Sequence, residues 1–184
     1  MKVGIIVGSL RRDSYSKKIA NVLKGFAPEN VELENVEIGN LEMFNQDFDD
    51  DGTVPESWTN FRKSIESYDG FIFVTPEYNR SVPAVLKNAL DIASRPWGCN
   101  VWNGKPAAVV SVSIGGLAGF GANHHLRQSL AFLNVPTMAQ PEAYIGNVSA
   151  LLDENGNVNN EDTKQYLQSI VDSFISFAEK NKAN

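Results

Sequence analysis

One stretch constrains the fold of this chain more than any other: residues 70–95, GFIFVTPEYNRSVPAVLKNALDIASR. Four consecutive apolar residues, Phe71, Ile72, Phe73 and Val74, read as a strand buried on both faces. The strand stops at Thr75-Pro76, because Pro76 has no amide hydrogen and drives Thr75 toward an extended conformation. Glu77-Tyr78-Asn79-Arg80-Ser81 is polar and turn-prone. Pro83 then suits the first turn of a helix, with Val82, Leu86, Ala89, Leu90 and Ala93 recurring at helical spacing. Strand, polar loop and helix in that order is how open α/β sheets present ligand sites, at the carboxyl ends of their strands.

The rest of the chain repeats the alternation. Lys2–Gly8 reads as a β-branched strand and Tyr15–Gly25 as a helix with Ile19, Ala20 and Leu23 on one face. Val31, Leu33 and Val36/Ile38 mark a second strand, residues 39–56 a long acidic loop, and Ser57–Tyr68 a helix. After the central unit come a Trp-, Gly- and Asn-containing connection (Pro96–Gly104) and an apolar strand (Ala107–Ile114). A glycine-rich turn, a helix near Ala122–Leu133, a last strand in Pro136–Tyr144 and a last helix over Asp162–Glu179 complete the pattern. Such alternation implies a parallel sheet covered by helices on both faces, an α/β/α sandwich. Five strands fit the flavodoxin-like order 2-1-3-4-5, whose switch point lies between the first and third strands. The loops after Gly8, Thr75 and Ile114 then converge at one edge of the sheet. At 184 residues the chain reads as one domain, 1–184, large enough to bury roughly 70 % of its unfolded surface.

The first of these loops, Gly8-Ser9-Leu10-Arg11-Arg12-Asp13-Ser14-Tyr15-Ser16, combines hydroxyls, two guanidinium groups and a helix start with Ser14 as N-cap. Helix-terminal amides, hydroxyls and a guanidinium are what a phosphate needs. From the residues alone, a phosphate cradle and an ordinary solvated turn remain equally open. Neither G-x-x-x-x-G-K-[ST] nor G-x-G-x-x-G is present, so the loop is not a Walker loop and a Rossmann dinucleotide site is disfavoured.

The wording of the loops narrows the choice. P-E-Y-N-x-S-x-P-x-x-L-K-N-A-x-D, over residues 76–91, closely resembles the signature of the NAD(P)H-dependent FMN reductases, the flavodoxin-like quinone, azo and chromate reductases. G-S-L-R-x-x-S-x-S resembles that family's phosphate loop, G-S-x-R-x-x-S-x-N, with Ser16 standing where Asn is usual. Ser113 to Gly119 resembles its S-x-G-x-x-G-G segment, with Ala118 in place of the penultimate glycine, and His125 to Leu130 fits its H-L-R-x-x-L. The similarity spans nearly the whole chain. It implies FMN as cofactor, with Ser9, Arg11 and Ser16 on the phosphate and Ser14 shaping the helix start. Tyr78 and Asn79 would line the flavin, Pro76 and Glu77 shape their loop, and Ser113, Gly115 and Gly116 stand beside the isoalloxazine. By the same resemblance NADPH or NADH passes hydride to the flavin and leaves, and a quinone, azo compound or similar small molecule takes two electrons from the same face. A homodimer, or a homotetramer, is expected on this ground, with the site near the subunit boundary.

Composition excludes other classes. A net charge of -6 argues against a general nucleic-acid binder, which carries a basic face. No segment approaches the ~20 apolar residues of a membrane span, and the amino-terminal run is too short for a signal peptide, so a cytoplasmic protein is expected. Cys99 is the only cysteine, which rules out an intrachain disulfide; near Trp97 and Trp102 it reads as structural or incidental, with a redox role left open. Asp47-Phe48-Asp49-Asp50-Asp51-Gly52 opens like an EF-hand loop but has Trp58 at the position of the bidentate Glu. His124 and His125 are adjacent and point about 100° apart on a helix, the disposition of satisfied surface side chains. Lys87, Asp91 and Arg95 at four-residue spacing read as a solvated ion-pair ladder. No G-x-S-x-G elbow or nucleophile–base pair is present, so a flavin would carry the chemistry and the protein would position it. Two rivals stay open, a flavodoxin-type electron carrier and a non-catalytic module on the same fold.

Overall fold

Five strands set the sheet, and two of them are buried along their whole length. The computed structural model describes residues 1–181, with strands β1 (Lys2–Val7), β2 (Glu32–Val36), β3 (Gly70–Thr75), β4 (Ala107–Val112) and β5 (Ala143–Ile145). All pairings are parallel and the order is β2-β1-β3-β4-β5, as expected from the alternating pattern. Every residue of β3 and β4 is buried, the signature of central strands covered on both faces. Gly4, opposite Phe71, is where the strands need a residue without a side chain. A Cβ there would stand 2.8 Å from Val36 and 2.9 Å from the Phe71 ring.

Successive strand residues feed two separate cores, as the period-2 geometry requires. Ile5, Ile72, Val74 and Val110 pack on one face against helices α1 (Tyr15–Lys24) and α7 (Glu161–Asn181). Ile6, Phe71, Phe73 and Val109 pack on the other against α3 (Glu56–Glu66), α4 (Ala84–Ala93) and α5 (Phe120–Phe132). The second face is aromatic. Trp102 is fully buried, with its ring 5.0 Å from Phe71 and its indole N–H donated to the carbonyl of Leu90 at 3.1 Å.

Four expectations are corrected. The acidic segment 39–56 is not a plain loop: Asp47–Asp50 forms a one-turn helix, α2, while Arg62 grips both carboxylate oxygens of Asp49 at 2.8 Å and donates to the Ile92 carbonyl at 2.9 Å. Buried Asn88 fixes the same segment by accepting the amide of Phe44 at 2.7 Å and donating to the carbonyl of Glu42 at 3.0 Å. The last strand lies at Ala143–Ile145 and not through Pro136–Tyr144. Pro136 and Pro141 have no amide hydrogen to give the ladder, so only a lone bridge at Thr137 precedes it. Pro83 stands one position before its helix, in extended conformation at the N-cap. The ladder on α4 forms only in its first half. Lys87 meets Asp91 at 2.7 Å, whereas Arg95 turns to the carbonyl of Ser94 and lies over the Trp97 ring.

Candidate functional site

The carboxyl ends of β1, β3 and β4 bring three loops together around a cleft of about 480 Å³, within the range of cofactor sites. The backbone bond from Gly8 N–H to the Val74 carbonyl, 2.9 Å, extends the β1–β3 pairing to the mouth of the cleft, so the first two loops leave side by side.

The first loop ends at α1 with Ser14 as N-cap, its hydroxyl accepting the amide of Lys17 at 3.3 Å. The amides of Tyr15 and Ser16 are then left without an acceptor among the described residues and carry the positive end of the helix. Ser9, Ser14 and Ser16 are buried as residues and line the cleft, and the hydroxyls of Ser9 and Ser16 have no partner among the described residues. Arg11 lines the same end, exposed and without an ion-pair partner there. Free amides, free hydroxyls and a guanidinium around one space form a cradle for a dianion.

The second loop is a two-residue mirror turn. Tyr78 and Ser81 exchange both backbone hydrogen bonds, at 3.0 and 2.9 Å, and Asn79 and Arg80 between them have φ of 52° and 64°. The turn leaves Tyr78 half exposed on the cleft wall. Its backbone is clamped to the start of α5: Glu77 accepts the amide of Ala122 at 3.1 Å and the Arg80 guanidinium at 3.2 Å, and Ser81 meets His125 Nδ1 at 2.9 Å. Gly121 allows the approach, since a Cβ there would lie 2.7 Å from the Arg80 carbonyl oxygen.

The third loop supplies Ser113 and Ile114 to the lining, with Ile114 two-thirds exposed. Pro76, Glu77, Tyr78 and Ser113 thus join Ser9, Arg11, Ser14 and Ser16 around one space. Asn79 stands at the turn tip, and Gly115 and Gly116 at the crest of the third loop, outside the lining; around Gly116 a Cβ would meet nothing within 4 Å. Sequence reasoning missed Tyr15, Val112, Val148 and Ser149, the last two from the short helix α6 (Val148–Leu151) after β5. The signal for them was their place after the last strand. His124 and His125 are both engaged at the surface, His124 with the Tyr144 hydroxyl at 3.0 Å. Burial, and then the hydrogen bond to Glu142, push the Tyr144 phenol above its ordinary pKa.

Residues 1–150, which contain all four cleft segments, match the family described as NADPH-dependent FMN reductase. The chain belongs to that family. Within it, a quinone reductase from Pseudomonas putida is 50% identical over 181 residues, covering 98% of this chain and 96% of that one. A 2-hydroxy-1,4-benzoquinone reductase from Burkholderia sp is 44% identical over 177 residues, 96% of each. Among solved structures, the flavoenzyme NAD(P)H:(acceptor) oxidoreductase FerB from Paracoccus denitrificans matches with a TM-score of 0.92 at 39% identity, covering 99% of both chains.

The clamp on the second loop makes Gly121 testable by the sign of its effect. An unobstructed helical Gly→Ala change stabilises by up to about 1 kcal/mol. Here Gly121→Ala should instead lower stability by about 1–3 kcal/mol, because the methyl meets backbone that has no room to yield. Urea unfolding decides it, and a rise in midpoint would show that the turn does not press on α5.

Proposed function

We propose that this chain is an FMN-dependent oxidoreductase that takes hydride from NADPH or NADH and delivers two electrons to a quinone, an azo compound or a similar small acceptor. One observation carries the reading: in a chain of this family, a single cleft is lined both by a dianion cradle and by Tyr78, Ser113 and Ile114. The residues present fit FMN, because the cradle offers unengaged donors at a helix start and the rest of the lining adds an aromatic ring, an aliphatic chain and loop backbone. The quinone reductases at 50% and 44% identity support the acceptor class.

Within this reading each side chain binds or orients. Arg11, Ser9, Ser16 and the amides at the start of α1 hold the phosphate, with Ser14 fixing that helix start. Tyr78 and Ser113 face the ring system, with Asn79 at the turn tip and Gly115 and Gly116 at the loop crest beyond the lining. Pro76 ends β3, and Glu77 ties the turn to α5. Bound FMN supplies the chemistry, accepting a hydride and returning two electrons to the acceptor. The exposed sides of Tyr78 and Ile114 leave one open face, which donor and acceptor occupy in turn.

We further propose a homodimer, or a homotetramer built from two of them. Trp97, 79% exposed, and Phe132, 71% exposed, line one groove beside the end of α4. Light scattering should give at least twice the 20.2 kDa chain mass, and a monomer mass overturns the assembly. We place the protein in the cytoplasm, which cell fractionation checks; no helix among the described residues is long and apolar enough to cross a membrane.

Arg11→Ala should weaken FMN binding by about 1.5–3 kcal/mol, the scale of a charge-assisted hydrogen bond, and leave riboflavin binding unchanged. Equal losses for the two ligands would remove Arg11 from the phosphate.

Kinetics separate a reductase from an electron carrier. Anaerobic NADPH or NADH should bleach the flavin band near ~450 nm before any acceptor is added. Varying nucleotide at several quinone concentrations should then give parallel double-reciprocal lines. Bleaching by dithionite but by neither nucleotide identifies an electron carrier, and converging lines identify two separate binding faces.

A further inference from the structure

Ala118 has φ of 54°, a conformation that residues other than glycine and asparagine rarely adopt. Gly119 follows at φ 72°, and the pair turns the chain from the crest of the third cleft loop into α5. This chain therefore holds an alanine where its own backbone preference opposes the turn.

The Ala118 carbonyl is held from beneath. Ser111, fully buried on β4, donates its hydroxyl to that oxygen at 2.7 Å. The same hydroxyl accepts from Asn123 Nδ2 at 3.4 Å, so its single proton is committed to Ala118. Asn123 is itself fully buried. It also donates to the Val109 carbonyl at 3.3 Å, and it accepts Arg127 Nε at 2.8 Å. Arg127 is fixed in turn by the Met138 carbonyl at 2.9 Å. This chain of bonds starts on the sheet and ends on the strained residue.

Two walls of the cleft depend on where Ala118 sits. Its amide closes the turn back to the Gly115 carbonyl at 3.1 Å, just beyond Ser113 and Ile114. Its methyl lies 3.2 Å from where a Cβ of Gly146 would be, on the segment leading to Val148 and Ser149.

We propose that Ser111 is a positioning residue: its buried hydrogen bond holds Ala118 in the left-handed conformation and thereby sets the ring-side walls of the flavin cleft. The proposal rests on the flavin reading above for its second half and on the buried network alone for its first.

Protein stripped of flavin and titrated with FMN and with riboflavin tests it. Ser111→Ala should weaken both ligands by the same factor, roughly three- to tenfold, because the phosphate end is untouched. Ser111→Cys, which keeps a weak donor of similar size, should lose less and guards against a misfolded alanine variant. In an Ala118→Gly background, where no strain has to be held, the cost of Ser111→Ala should shrink to under about twofold. An equal cost in both backgrounds overturns the proposal, since Ser111 would then only satisfy a carbonyl. A loss confined to FMN overturns it as well. Amide exchange at Ala118 and Phe120 in the flavin-free protein should accelerate in Ser111→Ala, and unchanged exchange refutes the hold on Ala118. If the unmodified protein binds neither ligand, the flavin reading and the second half of the proposal both fall, and exchange alone decides the first half.

Discussion

The pairing of β1 with β3 is the constraint on which the cleft depends. It is tight because Gly4 lets the Phe71 ring lie against the strand, and it runs past the end of β1 through the bond from Gly8 to Val74. Chain connections leave these two strands in opposite directions, toward β2 on one side and β4 on the other. Their loops cannot cross over one another, and a gap opens above the pair. The cradle of Ser9, Arg11 and the start of α1 and the wall made by Tyr78 are the two sides of that gap.

Backbone strain is distributed around the same gap. Of the five non-glycine residues with positive φ among the described residues, four lie on loops at the cleft: Asn79, Arg80, Ala118 and Asn147. Such residues cost of order 1–3 kcal/mol each and persist only where neighbours over-determine them. At Arg80 the neighbours are the paired turn bonds and the Glu77 carboxylate; at Ala118 they are Ser111 and the polar chain behind it. The layered core supplies the rigidity, and the loops convert it into fixed positions for polar groups.

What could be read in the sequence follows from this division. Strands buried on both faces show as continuous apolar runs, so β1, β3 and β4 and the sheet order were legible. The grouping of Ser9, Arg11, Ser14 and Ser16 around the start of α1 was legible because these residues are close in sequence and one of them caps the helix. The last strand was not, because three paired residues preceded by two prolines leave no periodic trace. Misplacing it hid Val148 and Ser149, whose role depends on following β5 at the cleft edge. Ser111 and Asn123 were hidden for another reason. A serine in an apolar strand and an asparagine on a helix look incidental until the fold brings their side chains within 3.4 Å.

Helix α7 lies beyond residue 150, where the family match stops, yet it seals the layer that α1 begins. Leu167, Ile170, Val171 and Phe174 are fully buried there against residues from the first third of the chain. All cleft segments precede this helix in the chain, and the layer behind α1 is completed only by it. The start of α1, with its hydroxyls and free amides, therefore stands on a layer closed by residues far along the chain, although no residue of α7 lines the cleft. A substitution that loosens α7 is thereby transmitted to the cleft through packing alone.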